Sequence, residues 1–424
     1  MIHINNTLNL LGLKDCQVKK ILIDESEKEI LIYITLRKDE VKCPYCKNLT
    51  SVVQDYRDKI ITYNFFSGKQ SFIYYYRRRY KCKICNKCFF EKNPFCNFHK
   101  NISDLTSINV LNELKQNQSF KSVAAKCGIS IQQVIKIFDD HVDMSRLTLS
   151  EILGIDEFKN VSSGKGKYAC ILVSISNHDI VDVLEDRTID TLSSYFSKIS
   201  REERQKVKFF VSDMYDGYKN IHDSYFPNSI HIIDTFHFVR LITDAFNRIR
   251  IRIMKTYDVD SFQYQLLKDY WKTLLIPYYK IDKEKILFYK RFNQHLTQKD
   301  LLNKILGIND ELYHAYLLKE DFVSNYYSVY IDSASTFIES QAKRFLDSDY
   351  KEYKTVAFSL YKWKQEIVNS FYRDKKGKRI TNAMTEGFNN SIKTIKKTSY
   401  GYANFKRFRN RILYILRKQK AFKI

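Results

Sequence analysis

The chain has 424 residues, with 71 Lys and Arg against 48 Asp and Glu, and its formal charge of +23 points to a phosphate-rich partner. Its 44% hydrophobic and 15% aromatic content excludes a disordered polycation, and 11 Gly with 4 Pro exclude a collagenous or loop-rich design in favour of long helices. No apolar run of about 18 residues occurs and residues 1–10 carry no basic, apolar leader, so a cytoplasmic protein with no membrane partner is expected.

Seven of the nine cysteines lie before residue 100. Cys43-Pro44-Tyr45-Cys46 and Cys82-Lys83-Ile84-Cys85 are two C-x2-C pairs, and such pairs can set four thiolates around one structural Zn²⁺. Cys88 competes with Cys85 for the fourth ligand position. Strands are predicted over 59–63 and 71–76 with a turn at Ser67-Gly68, giving a zinc-ribbon domain over 1–98. The run Arg77-Arg78-Arg79 beside it is a candidate phosphate contact.

Residues 119–138 have a helix-turn-helix cadence within a DNA-binding domain over 99–149. Ala124 permits close helix approach, Gly128 supplies the turn, Ile129 and Val134 fill the core, and Ser130 caps the second helix. That helix would present Ile131, Gln132 and Gln133 to base edges, with Ser130 and Lys136 beside them.

From residue 150 strands and helices alternate. Strands are predicted at 152–158, 168–176, 180–184, 207–213 and 229–233, with helices at 188–199 and 235–255. This order is that of a ribonuclease-H-like mixed sheet, whose first part spans 150–255. Residues 256–372 read as an all-helical insertion, and 373–424 as the last part of the catalytic core with C-terminal helices. The fold class is therefore multidomain α+β.

Asp156 and Asp213 stand at the ends of two predicted strands, 57 residues apart, and Glu386 begins a helix 173 residues further on. Ends of neighbouring central strands lie about 5 Å apart, so the two aspartates can share a cation. Three acids around two Mg²⁺ or Mn²⁺ ions are what two-metal phosphoryl transfer requires.

The succession of cysteine pairs, helix-turn-helix, Leu153-Gly154-Ile155-Asp156-Glu157-Phe158, Val211-Ser212-Asp213-Met214-Tyr215, Asp234-Thr235-Phe236-His237 and Thr385-Glu386-Gly387-Phe388-Asn389-Asn390 resembles bacterial insertion-sequence transposases of the ISL-three type. The closing segment 393–405 is similar as well. The resemblance implies a DDE triad of Asp156, Asp213 and Glu386, and an Asp-x-x-His element at Asp234 and His237 that positions DNA. It departs at Ser163-Gly164-Lys165-Gly166-Lys167, where a basic glycine stretch is expected, and at Ser176, where relatives carry an acid.

The implied activity is binding of the terminal inverted repeats of a mobile element, followed by Mg²⁺-dependent strand cleavage and strand transfer. The partners would be element and target DNA, the assembly a homodimer or higher oligomer on DNA, and the location the nucleoid. Lys393, Lys396 and Lys397, with Arg407, Arg409 and Arg411, are the further phosphate contacts expected. Two other readings remain: a DNA-binding regulator derived from a transposase without catalysis, and a structure-specific nuclease.

Overall fold

The computed structural model describes residues 11, 13–14, 17–66, 68–97, 99–162, 164–374, 376–399 and 401–418. Residues 1–10, where no leader is expected, Ser67 of the predicted turn, Ser163 and Tyr400 lie outside the described residues. The chain divides into two compact units, residues 1–145, 161–163 and 391–424, and residues 146–160 and 164–390. The predicted segment 373–424 is thus divided, its C-terminal part grouping with the first unit.

The first unit is built on a sheet of β1 (Val18–Glu25), β2 (Glu29–Leu36), β5 (Val53–Phe66), β6 (Lys69–Lys81) and β7 (Cys88–Phe90), ordered β1-β2-β6-β5 with β7 on β6. Two-residue strands β3 (Val41–Lys42) and β4 (Leu49–Thr50) pair separately. Alternation along β2 and β6 sends Ile32, Ile34, Ile73 and Tyr75 into a core with Ile61, Tyr63 and Phe95. Gly68 takes the left-handed conformation, φ 81°, at the tight β5–β6 turn.

Three helices follow, α1 (Asp104–Lys115), α2 (Phe120–Cys127) and α3 (Ile131–His141). Their N-termini are capped by Ser103, Ser119 and Ser130, whose hydroxyls accept from backbone N–H groups three residues on. Gly128, at φ 65°, ends α2 in the left-handed region that glycine adopts without strain. Val123, Ala124, Val134, Ile137 and Phe138 are buried on the facing sides of α2 and α3.

The second unit holds a five-stranded sheet ordered β10-β9-β8-β11-β12, made of β8 (Ile152–Lys159), β9 (Tyr168–Ser174), β10 (Asp179–Leu184), β11 (Phe209–Ser212) and β12 (Ile230–Ile233). β8, β9 and β10 run antiparallel, whereas β11 is parallel to both β8 and β12. Helices α4 (Ile189–Phe196) and α5 (Asp216–Tyr225) contribute to a core with Leu153, Ile155, Leu172 and Phe210. The 20-residue α6 (Thr235–Met254) instead buries Phe238, Ile242, Phe246 and Ile249 among the helices Asp310–Tyr326, Ile331–Asp347 and Lys351–Lys362.

The insertion is not all helical. A hairpin of β13 (Ile286–Tyr289) and β14 (Gln294–Thr297) interrupts it, turning through Asn293 at φ 51°. Its strands are largely exposed and lack the polar alternation of a half-buried strand, so the surrounding Tyr, Leu and Lys spacing conceals them.

The last two helices are α7 (Ala383–Thr398) and α8 (Phe405–Leu416). No helix among the described residues is long and apolar enough to cross a membrane.

Candidate active site and thiolate cluster

The β8–β11 register aligns Val211 with Gly154. Carried two residues on, that register sets Asp213 beside Asp156. Side-chain oxygens of Asp156, Glu157 and Asp213 lie within 4.8 Å of one another, so these three carboxylates could hold a cation. Asp156 accepts from the Glu157 backbone N–H at 2.8 Å and from Asn389 Nδ2 at 3.0 Å. Glu157 is held by Arg187 at 2.6 Å and by the Tyr218 hydroxyl at 3.3 Å. The Asp213 Oδ1 atom is buried and without a hydrogen-bond partner among the described residues.

Burial, reinforced by neighbouring carboxylates, pushes Asp156 up to about 7 and Asp213 up to about 8. An orphaned oxygen in a group of mutually repelling acids is a donor set suited to a hard divalent ion.

Glu386 is outside this trio. It sits exposed on α7, and its charge raises both Asp156 and Asp234. The helix is anchored on either side of it. The Asn382 backbone N–H donates to Asp234 Oδ1 at 2.9 Å, Asn382 Nδ2 to the Ile155 carbonyl at 3.2 Å, and Asn389 to Asp156. Residues 382, 386 and 389 are spaced four and three apart, which puts Glu386 on the anchored face. It also lines a cavity of about 700 Å³ together with Phe236, Arg240, Arg373, Lys378 and Arg379.

Asp234 follows β12 at the N-cap position of α6, and His237 comes three residues later with its backbone N–H donating to the Asp234 carbonyl at 3.1 Å. Burial outweighs the nearby acids and lowers the His237 pKa, so this ring is a neutral group beside the acids rather than a cation.

Gly154 allows α7 to approach the sheet. A Cβ there would stand 2.6 Å from Asn382 Oδ1 and 3.2 Å from Thr385 Oγ1. Gly154→Ala is expected to cost about 1–3 kcal/mol in urea unfolding, because both buried side chains must yield; an unchanged midpoint would refute this close-packing account.

In the first unit Cys43, Cys46, Cys82 and Cys85 form one cluster. Sγ of Cys43 and Cys85 are 3.7 Å apart, and those of Cys46 and Cys82 3.4 Å. The two loops are copies of each other. Cys43 N–H donates to Asn48 and Cys82 N–H to Lys87, while left-handed Lys47 and Asn86 return N–H bonds to the first cysteine carbonyl. Hydrogen bonds from the Asn48 backbone and side chain bring Cys46 down to about 6. Cys88 lies in β7, opposite Lys81 and outside the cluster, so Cys85 is the fourth thiol. The set could bind zinc.

Several expected phosphate contacts are internal ties. Arg77 and Arg78 are 6% and 3% exposed, because β7 and Glu91 cover this end of β6. Arg78 pairs with Glu91 at 2.9 Å, and Arg77 lies over the Phe90 ring and donates to the Glu91 carbonyl. Arg79 is half-exposed and 3.4 Å from Asp55.

On α8, Arg411 is 1% exposed and donates to the carbonyls of Leu114, Gln116 and Gln118 at the end of α1. Arg407 grips Asp139 through two nitrogens, and Arg409 binds the Met144 carbonyl. Ser130 and Gln133 satisfy each other in the α3 capping box. Gln132 and Lys136 remain exposed one turn apart, Lys136 being 3.8 Å from Asp140, and Lys393 and Lys397 are exposed on α7 with Lys396 half-buried.

Glu157 is the member of the acidic group that sequence reasoning passed over. Its signal is the Asp-Glu doublet within an apolar strand, where adjacent acids are costly unless something holds them.

A family model described as Transposase matches residues 153–412. The chain is also 21% identical over 340 residues to the transposase for insertion sequence element IS1001 of Bordetella parapertussis, spanning 77% of this chain and 76% of that protein. Sheet, acidic group and anchored α7 all fall within the matched region, and the chain belongs to the ISL3 family of transposases.

Proposed function

We propose that the chain cuts DNA at the ends of a mobile element and joins the freed 3′-hydroxyl to target DNA, with Asp156, Asp213 and Glu386 as its catalytic acids. The observation that carries this reading is the meeting of Asp156 and Asp213 just beyond the parallel pairing of β8 with β11, with Asp213 Oδ1 left unpartnered among the described residues. The sheet order, three antiparallel strands followed by two parallel ones, supports a ribonuclease-H-like core.

Mg²⁺ or Mn²⁺, held as a pair by the three acids, would supply the charge that generates the attacking oxygen and stabilises the leaving one. Asn389 fixes the rotamer of Asp156, and Arg187 clamps Glu157 so that one acid of the group stays satisfied within the protein. Exposed Arg373 and Lys378 line the cavity beside Glu386, where phosphates flanking the cut would be received, whereas Arg379 donates to the Tyr326 and Val329 carbonyls. No side chain serves as nucleophile, so no covalent protein–DNA intermediate forms.

The four cysteines would hold structural zinc, and α2 and α3 would form the helix-turn-helix reader. With Ser130 and Gln133 engaged in capping, Ile131, Gln132 and Lys136 are the expected reader residues that stay exposed on α3. Gln132→Ala is expected to weaken binding to the terminal repeat by about 1–3 kcal/mol while sparing random DNA. Equal loss on both in a gel-shift titration would rule out base readout by this residue.

The function itself is tested by incubating the protein with Mg²⁺ and DNA carrying the element's terminal repeats. Nicks at the element ends and joined products are expected. Binding without cutting would leave a regulator, and cutting without joining a nuclease.

A further inference from the structure

The acidic group carries its own cation. Arg187, in the loop between β10 and α4, donates through Nη1 to Glu157 Oε1 at 2.6 Å, while the Tyr218 hydroxyl donates to Glu157 Oε2 at 3.3 Å. The guanidinium packs over two rings, 4.7 Å from the centroid of Tyr168 at the start of β9 and 4.6 Å from that of Tyr215, two residues after Asp213. Its backbone is fixed as well. The Arg187 N–H donates to Asp186 Oδ1 at 2.7 Å, and Asn160 Nδ2 donates to the Glu185 carbonyl at 2.7 Å. Oxygens of Glu157, Asp156 and Asp213 lie within 4.8 Å of one another, so Arg187 stands one carboxylate away from the cation pocket. Burial raises the Asp213 carboxyl, and the charge of Arg187 opposes it.

These contacts do not use up the guanidinium. The Arg187 side chain is 27% exposed, and its Nε and Nη2 have no acceptor among the described residues. The internal arginines of the chain differ. Arg78 gives Nε to Glu91 and Nη2 to the Leu36 and Arg37 carbonyls, and Arg411 gives both terminal nitrogens to carbonyls at and beyond the end of α1. Both are buried. An arginine that only tied Glu157 in place would gain from the same closure.

We propose that Arg187 is a further catalytic residue, which takes the scissile phosphate of the DNA through its open Nε and Nη2 donors while Nη1 stays on Glu157. The inference rests on the catalytic reading above. Carboxylates repel a phosphodiester, and a planar fork of N–H donors beside them matches its two non-bridging oxygens. Those oxygens carry charge in the transition state, where a cation already held in position acts with least reorganisation. Stacking on Tyr168 and Tyr215 is what holds it.

The test compares a duplex carrying the element's terminal repeat with the same duplex bearing an uncharged methylphosphonate at the scissile position. Binding to the full chain is read by fluorescence anisotropy, with Ca²⁺ in place of Mg²⁺. Wild type should bind the methylphosphonate duplex at least about tenfold more weakly. Arg187→Gln should shrink that ratio at least about threefold. Arg187→Lys keeps the charge and the pair with Glu157 but not the fork, so it should fold as wild type does and give a ratio between the two. Single-turnover nicking in Mg²⁺ at saturating DNA should fall at least about a hundredfold in Arg187→Gln. A wild type that nicks the repeat, with the same methylphosphonate ratio in both Arg187 variants, would overturn the contact alone and leave Arg187 a tie for Glu157. A wild type that neither nicks nor distinguishes the two duplexes would remove the catalytic reading and the contact with it.

Discussion

Asp213→Asn should lose at least about a thousandfold in Mg²⁺-dependent nicking while becoming more stable than wild type in the absence of divalent ions. The two effects share one cause. Burial and neighbouring acids raise Asp213 to about 8 and Asp156 to about 7, against 3.8 for an ordinary aspartate. The folded protein therefore binds these protons more tightly than the unfolded chain does. Stability linked to them is fully present below about pH 4 and is lost as pH rises through 7 to 8. An asparagine cannot ionise, so the stability gap between Asp213→Asn and wild type should be small at pH 4 and widest at pH 8, on the order of 1–3 kcal/mol.

Adding Mg²⁺ at pH 8 should raise the wild-type Tm and shift the variant much less, since the cation replaces the missing proton. Glu386→Gln separates the roles. It is exposed and outside the close trio, so it should lose nicking without gaining stability. Nicking retained by Asp213→Asn would end the proposed catalytic role, and a gap independent of pH would end the electrostatic account.

What the sequence made legible is local. The two C-x2-C loops, the Ser-capped helices around Gly128 and the apolar strands that carry Asp156 and precede Asp213 each carry their signal within about ten residues, and their predicted bounds lie within a few residues of those observed, although Asp156 lies inside β8 rather than at its end. What it concealed depends on partners distant along the chain. The +23 charge gives no sign that Arg78 lies buried against Glu91, 13 residues away, or that Arg411 ends among α1 carbonyls nearly 300 residues earlier. A basic run reads the same whether it faces phosphate or satisfies helix ends.

Asn389 was hidden differently, because it matters only once α7 is laid against β8, and Glu157 only once Asp213 and Arg187 are brought beside it. The Cys85 and Cys88 ambiguity was a matter of register. Only the pairing of β7 with β6 shows that Cys88 sits in a strand beside Lys81 while Cys85 stays in the loop.

That register makes the thiolate cluster the second large expected effect. One zinc per chain should co-purify, and its removal by a strong chelator should unfold the cysteine loops and the sheet end they hold. Cys43 and Cys82 are completely buried, yet the first loop is tied down by the two-residue strands β3 and β4 and a few local hydrogen bonds. Backbone pairing that short cannot offset the entropy of ordering the loop, whereas structural zinc contributes roughly 10–16 kcal/mol of apparent binding free energy at neutral pH. Cys43→Ser should therefore behave like the chelated protein, with new protease cleavage between residues 38 and 50, while Cys88→Ser keeps its zinc and its resistance. The second unit should retain its own unfolding transition in both variants, because its core contains none of these cysteines. Less than about half an equivalent of zinc in wild type, with Cys43→Ser as resistant as wild type, would mean that hydrophobic packing alone holds the four thiols together.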